Sequence, residues 1–423
     1  MKNRVAITGL GIVAPNGVGL TEFQKALEEG TSGIRFSPEL RDLNFSCQLG
    51  GEPIISEEKK HQYLTSLQLR NFKSSGILYA VIAGIDAVND ANLSHLSESE
   101  DPNWDLGIVF GTGISGVEKF REAIHRIDDK NVRRLGSTSV IQTMASGASA
   151  YLSGILGAGN MVTANSSACA TGTEALLLGY ERIANGQATY MLCGSTSDCG
   201  PYIWGGFDAL KVTNYKHNDS PQNVPGPMSA HASGFIPGSG AGAYILENMD
   251  NAIKRGATIY AEVLGGAINN GGQKGGGSMT APNSIAIQKC INDALKNSNV
   301  SPSDIDYING HLTGTIKDPD EIENWTLALN RKQKDFPYIN SLKGLVGHCL
   351  AASASIEIVA SVLQLHNNFI FPNSHVLPLH PKISALIDPA KIPTKKKTIP
   401  LKTIIKASFG FGDVNACVIF RKI

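Results

Sequence analysis

Two apolar patterns take turns along the chain from Val5 to Phe420. Short, nearly unbroken apolar runs, such as VAITGLGIVA from Val5, DLGIVF from Asp105 and the stretch from Met161 to Ser167, predict buried strands. Between them lie longer segments with apolar residues three and four apart, such as AVIAGIDAVND from Ala80 and ATGTEALLLGYERIANG from Ala170, which predict helices. Strand and helix alternating in this way predicts an α/β architecture, with helices laid on mostly buried sheets.

The alternation contains a repeat. AVIAGIDAVNDANLS, a spacer, DLGIVF and a GTG turn return from Ala286 as AIQKCINDALKNSNVS, a spacer, DYIN and the turn GHLTGT. Further on, MVTANSSACATGTEALLLGY is echoed by PYINSLKGLVGHCLAASASIEIVASVLQL. The preserved order marks an internal duplication, with a border near Lys254 to Ala257, so the expected halves are residues 1–256 and 257–423. If the halves pack about a pseudo-twofold, equivalent loops converge between them, bringing Cys169 of the first half towards His311 and His348 of the second.

The 423 residues are 42% hydrophobic and only 17% charged, enough for two or three domains with a large buried fraction. Lys and Arg number 37 and so do Asp and Glu, which removes any bulk electrostatic case for nucleic acid or an anionic membrane as partner. The amino terminus enters a strand-like run without a leader pattern, and the longest apolar stretches are interrupted by Asp86, Glu174 or Glu357. Seven scattered cysteines without a CxxC pair argue against a disulfide framework and a zinc site. The expectation is a cytoplasmic protein with no metal and no membrane insertion.

Cys169 falls at a predicted strand-to-helix turn, where the free amides of the helix favour thiolate and can bind an oxyanion. The plainer reading is a small buried residue in a tight turn. His311 in INGHLTGT and His348 in SLKGLVGHCLAAS each sit at a predicted element end, where a structural, hydrogen-bonded imidazole is the common case. Together with Cys169 they suggest a Cys/His/His site in which two neutral imidazoles donate to one thioester carbonyl as it becomes an enolate; metal binding is the weaker option. Lys343 and Glu357 are supporting charges, Glu357 being flanked by Ile356 and Ile358 and so expected to be buried and paired. Phe411, between Gly410 and Gly412, reads as a swinging cover or an ordinary hairpin loop, and NNGGQKGGGSM from Asn269 as a mobile loop unless it packs over something. The opening VAITGLGIVA formally matches a dinucleotide-binding fingerprint, but Pro15 and Asn16 break the helix that should follow.

These motifs, in this order, resemble the elongating β-ketoacyl-[acyl-carrier-protein] synthases, condensing enzymes of the thiolase superfamily. The likeness runs from VAITGLGIVAPNG through SSACATG, NGHLTGT and SLKGLVGH to SFGFGDVNA, essentially the whole chain. It implies a thiolase-like fold of two duplicated βαβαβαββ halves forming an α-β-α-β-α sandwich. It implies that Cys169 accepts an acyl chain from the phosphopantetheine arm of an acyl carrier protein, so that no cofactor of its own is needed. His311 and His348 would stabilise the malonyl-derived enolate, and the amides of Cys169 and Phe411 would form an oxyanion hole. Thr313 and Thr315 match the pair that contacts the arm, Ile114 a position lining the acyl pocket, and Lys343 and Glu357 the supporting charges. A homodimer is implied as well, and an acidic carrier protein would dock on basic residues, for which Arg70, Lys73, Arg133 and Arg134 are candidates.

The chain departs from the family pattern at Leu312, where Gly is usual, at Asp413 and Val414, where Gly-Thr is usual, and from Ser229 to Phe235, where a charged stretch is usual. A specialised ketosynthase for polyene or polyketide-like chains is therefore an alternative to a fatty-acid elongating enzyme. A noncatalytic, chain-length-determining partner subunit is a further one, disfavoured by the presence of Cys169.

Overall fold

The computed structural model describes residues 2–94, 96 and 99–423. Its main sheet is built from β1 (Val5–Ala14), β2 (Leu106–Thr112), β3 (Val162–Thr163), β4 (Tyr190–Ser197), β5 (Gly240–Asn248), β6 (Ala261–Asn270), β7 (Tyr307–Asn309), β8 (Tyr338–Asn340), β9 (Thr403–Gly410) and β10 (Val414–Arg421). Reading outward from the middle, one side runs β1-β5-β4-β2-β3 and the other β6-β10-β9-β7-β8. Strand directions match as well: β2 is parallel to β3 and β4, β7 is parallel to β8 and β9, and the inner pairs of both sets are antiparallel. Each five-stranded set is thus a copy of the other, and the two join where Val5–Ile7 pairs antiparallel with Ala261–Val263.

Helices fill three layers. On the outside, α1 (Ser75–Asp90) covers β1, β4 and β5, and α3 (Ser284–Asn297) covers β6 and β10. Between the sheets lie α2 (Thr171–Ala184) and α4 (Ser353–Asn367), in contact with each other and with strands of both sets. α4 is buried at every position from Ser353 to Leu365, including the polar Glu357 and Gln364. The result is the α-β-α-β-α sandwich of the thiolase-like fold.

The dinucleotide-fingerprint reading fails on geometry. The motif requires a strand, a tight turn and a helix, whereas Val5–Ala14 is one continuous strand. Its glycines serve packing instead: a Cβ on Gly9 would lie 2.1 Å from the Ala87 carbonyl oxygen and one on Gly11 1.9 Å from that of Ala83, so α1 rides directly on the strand. The strand expected from Met161 to Ser167 shrinks to Val162–Thr163. Beyond it, Asn165 donates to Glu174 at 2.7 Å and to the Thr171 carbonyl at 2.9 Å, and the Ser167 hydroxyl donates to Glu174, which commits the backbone to a turn. Among the described residues no helix is long and apolar enough to cross a membrane.

Candidate active site

The nucleophile turn is the one-turn 3-10 segment Ala168–Ala170, which runs directly into α2. Ala168 has a left-handed conformation, φ 49°, and this reversal turns the next side chain, Cys169, into the interior with only 8% exposure. The backbone N–H groups of Cys169 and Phe411 both address its sulfur. Gly410 makes that approach possible, because a Cβ there would lie 3.1 Å from the Cys169 nitrogen and 3.1 Å from the Ser167 carbonyl oxygen. Gly412, on the far side of Phe411, takes φ 85°. The sequence argument that the helix terminus favours thiolate needs correcting: burial dominates and pushes the Cys169 thiol up to about 11, with Lys343 and the Phe411 amide opposing it.

His311 and His348 come from the second repeat, and the rings stand edge to face with centroids 5.7 Å apart and planes at 83°. One nitrogen of each and the Cys169 sulfur lie within 4.8 Å of one another. His348 Nδ1 accepts the Leu350 N–H at 3.0 Å and faces the Ser353 hydroxyl at 3.0 Å, which leaves the neutral ring's proton on Nε2. Its other face packs on Phe235, centroids 4.9 Å apart. His311 is held through its backbone: its N–H donates to Glu321 at 2.8 Å and its carbonyl accepts from Lys343 at 2.6 Å. Among the described residues His311 Nδ1 has no hydrogen-bond partner. Burial, reinforced by Lys343 and Lys406, holds both imidazoles well below the usual histidine range, so both are neutral at physiological pH.

Behind the imidazoles is a buried charge cluster. Lys343 Nζ meets Glu357 Oε1 at 2.5 Å, the pairing left open by the sequence, and Lys406 Nζ meets Glu357 Oε2 at 2.6 Å. Asp318 and Glu321, on the helix Asp318–Leu329, tie down the loop after His311. Asp318 accepts the N–H groups of Met228, Thr313 and Gly314, and Glu321 those of His311 and Leu312. Burial pushes Asp318 up to about 6 and Glu321 to about 7. Leu312, one of the departures, sits in the core of the second repeat and not in the site.

A recess lined by Gly234, Phe235, Thr313, Gly314 and Lys343 leads to this cluster. Thr315 is not on its wall; its hydroxyl lies 3.1 Å from that of Thr313 and so orients it. Ile114 is 58% exposed, whereas Cys169 is buried. Arg70, Lys73, Arg133 and Arg134 are exposed, and Lys73 lies 3.7 Å from Glu122. Sequence reading missed Lys406, Asp318, Glu321 and the aromatic pair Phe207–Phe411, centroids 6.0 Å apart, that backs the oxyanion loop. Lys406 had a visible signal, a lone charge inside the strand-like run TIIKASF; the two acids had only their spacing after His311.

Residues 2–252 match the family model of the β-ketoacyl synthase N-terminal domain, and residues 260–377 that of the C-terminal domain. The chain belongs to the β-ketoacyl synthase family. It is 30% identical over 422 residues to the chloroplastic 3-oxoacyl-[acyl-carrier-protein] synthase I of Arabidopsis thaliana, covering 99% of this chain and 86% of that one. It is also 30% identical to 3-oxoacyl-[acyl-carrier-protein] synthase 1 of Escherichia coli K12, covering 99% of both. Among solved structures, a type II polyketide ketosynthase in complex with its acyl-carrier protein and bound to a hexaketide superposes with a TM-score of 0.87 at 29% identity over the full length of both chains. As a β-ketoacyl synthase this protein is an acyltransferase-type condensing enzyme.

Proposed function

We propose that this β-ketoacyl synthase condenses an acyl group held on Cys169 with malonyl-[acyl-carrier-protein], giving a 3-oxoacyl-[acyl-carrier-protein] two carbons longer and carbon dioxide. The observation that carries the reading is the convergence of one sulfur, two backbone amides and two neutral imidazoles in one buried centre. In the loading step the Cys169 sulfur attacks the acyl thioester, and the amides of Cys169 and Phe411 receive the negative oxygen. The pantetheine C–S bond breaks, and the leaving thiolate takes the thiol proton. In the second step the malonyl C–C bond breaks, and its electron pair forms an enolate whose oxygen accepts hydrogen bonds from His311 and His348 Nε2. The carbanion attacks the acyl carbon, the bond to Cys169 breaks, and the sulfur leaves as thiolate and takes one proton from solvent water.

In this reading residues 1–256 bring the nucleophile and residues 257–423 the enolate donors, while Thr313 contacts the pantetheine arm along the recess and Gly410, Phe411 and Gly412 shape the oxyanion loop. The partner is an acyl carrier protein, as in the ketosynthase complex of similar structure. Exposed Arg133 and Arg134 are the proposed dock: reversing both to Glu should raise the KM for carrier-bound substrate and spare a free thioester. A homodimer is supported by Phe120, Ile124 and Ile127, exposed along one face of the helix Val117–Asp128, close in sequence to Ile114. Covering that face would also enclose Ile114, as an acyl-pocket residue requires. The compartment proposed is the cytoplasm. A second reading, chain extension in a polyketide-like pathway, is favoured by the likeness to a polyketide ketosynthase and by Asp413 and Val414 in the oxyanion loop.

The test is intact-protein mass spectrometry after exposure to a panel of acyl carrier proteins, followed by addition of malonyl carrier protein. Acyl mass on Cys169 and a 3-oxoacyl product are expected, and the preferred chain separates the two pathways. Full condensation by a Cys169→Ala protein would refute the assignment.

A further inference from the structure

One buried ammonium in this centre has no part in the reaction as written. Lys406, on β9, is fully buried; its ammonium donates to the Ser408 hydroxyl at 2.8 Å and to the Ala407 carbonyl, and it forms an ion pair with Glu357 Oε2 at 2.6 Å. It is out of water and absent from the wall of the recess. Lys343 differs, since it uses two donors, on Glu357 Oε1 and the His311 carbonyl, and lines the recess. One carboxylate is therefore shared by two ammonium groups, with all three side chains out of water. A lone Lys–Glu pair would be neutral; burial pulls the Lys406 ammonium below the usual lysine range and Glu357 opposes that, and with Lys406 protonated the triad carries one excess positive charge beside the imidazoles. An apolar residue would fill a strand position next to Ile404 and Ile405 without that desolvation cost. The Ser408 hydroxyl in turn lies 3.0 Å from that of Thr173 on α2, which connects Lys406 to the helix that follows Cys169.

We propose that Lys406 is a positioning residue for the condensation step: by taking the second oxygen of Glu357 it fixes the carboxylate for Lys343, and it supplies the excess positive charge beside His311 and His348. This rests on reading the two imidazoles as enolate donors. The charge works in two ways. It favours the developing enolate, and it opposes protonation of the imidazoles, which must be neutral for the ring proton of each to be offered to oxygen.

The charged and titratable groups facing the imidazoles are Lys343, Lys406 on β9, Glu357 on α4, Asp318 and Glu321 on the helix Asp318–Leu329, and the Cys169 thiol. Cys417 on β10 lies close to Lys406 and is held as a thiol by burial. With Asp318 and Glu321 pushed up to about 6 and 7, both are uncharged below those values, and Cys169, a thiol when free and a thioester once loaded, carries no charge. On the acid side the local charge is therefore set by Lys343, Lys406 and Glu357: plus one in the native protein, zero in Lys406→Met, and plus one again in Lys406→Met with Glu357→Gln.

The experiment is the rate of condensation between pH 5 and 8 on full-length protein preloaded with an acyl group, using malonyl carrier protein. Lys406→Met is expected to move the acid limb up by about one pH unit, a loss of rate that is largest at the acid end and shrinks towards pH 8. Loading of Cys169 should stay within about threefold. Lys406→Arg keeps the charge and should keep the native limb, and the double variant should return to it. A limb in Lys406→Met that coincides with the native one, or a double variant displaced as far as the single, overturns the proposal. Should Lys406→Met not fold, Glu357→Gln compared with the double variant measures the same charge step, with the same expected direction; no displacement overturns it. Failure of the native protein to load or condense would instead sink the underlying functional reading, so the two failures are separable.

Discussion

Ala168 and Leu350 occupy equivalent places in the two repeats: each opens a one-turn 3-10 segment before a central helix, and each is left-handed, with φ 49° and 52°. A non-glycine residue in that conformation is unusual and costs about 1–2 kcal/mol. In the first repeat the strain presents Cys169; in the second the next residue is Ala351, and the Leu350 N–H is turned onto His348 Nδ1. The same backbone device therefore aims a sulfur in one copy and sets the tautomer of an imidazole in the other.

If His311 and His348 act on the enolate and not on the loading step, their loss should separate the two half-reactions. His311→Ala and His348→Ala are each expected to slow condensation by about 100- to 1000-fold, the usual effect of removing one oxyanion donor. Acylation of Cys169, followed by intact mass, should persist in both. Equal loss of loading and condensation would show that the imidazoles serve the sulfur instead.

The pH dependence of the thiol follows from its burial. Because the Cys169 pKa is raised to about 11, the thiol dominates across the working range and the thiolate fraction grows about tenfold per pH unit. Alkylation by iodoacetamide should therefore climb with unit slope from pH 6 to 9 in a plot of log rate against pH. Lys343→Met removes the cation opposing that rise and should slow alkylation further. A plateau starting near pH 7 would contradict both statements.

The fold was legible in the sequence because a duplication prints its order twice: the helical pattern AVIAGIDAVNDANLS, the run DLGIVF and the GTG turn all reappear after Ala286. Cys169, His311 and His348 were legible because each stands at an element end, where side chains reach a site. Lys406 escaped because its role depends on a contact across β9 to α4, and no local pattern records the 2.6 Å approach to Glu357. The thiol's pKa was misjudged for a related reason. Helix position can be read locally, whereas burial is a property of the assembled layers.

Asp413 is buried with φ 65°, and its carboxylate accepts the N–H groups of Gln273 at 3.0 Å and Asn283 at 2.8 Å while its carbonyl accepts that of Gly271. It thereby latches the glycine-rich stretch after β6 onto the loop that carries Phe411. Asp413→Ala leaves the Gln273 and Asn283 amides without their acceptor and should cost about 1–3 kcal/mol of stability. Hydrogen exchange across residues 271–283 should rise in the variant; unchanged protection would mean that other contacts hold the loop.

The apolar face of Val117–Asp128 predicts an oligomer. Ile124→Glu, at the middle of the Phe120, Ile124 and Ile127 row, should give a monomer by light scattering with the fold intact by circular dichroism. Condensation should fall with it, since Ile114 then stays open to water. A dimer that survives the substitution would place the interface elsewhere.

Neither repeat closes its own interior, because α2 rests partly on β6 and β10 while α4 rests partly on β1, β4 and β5. A chain nicked in the connection near residue 256 should hold together and keep working, whereas either fragment made alone would show its inner helix to solvent and precipitate. For the same reason, grafting one repeat of this enzyme onto the other repeat of a relative would require two helix faces to be matched at once. Sulfur and imidazoles are thus inherited as a single lot, and a chimera that exchanges only one of them inherits a misfitted seam.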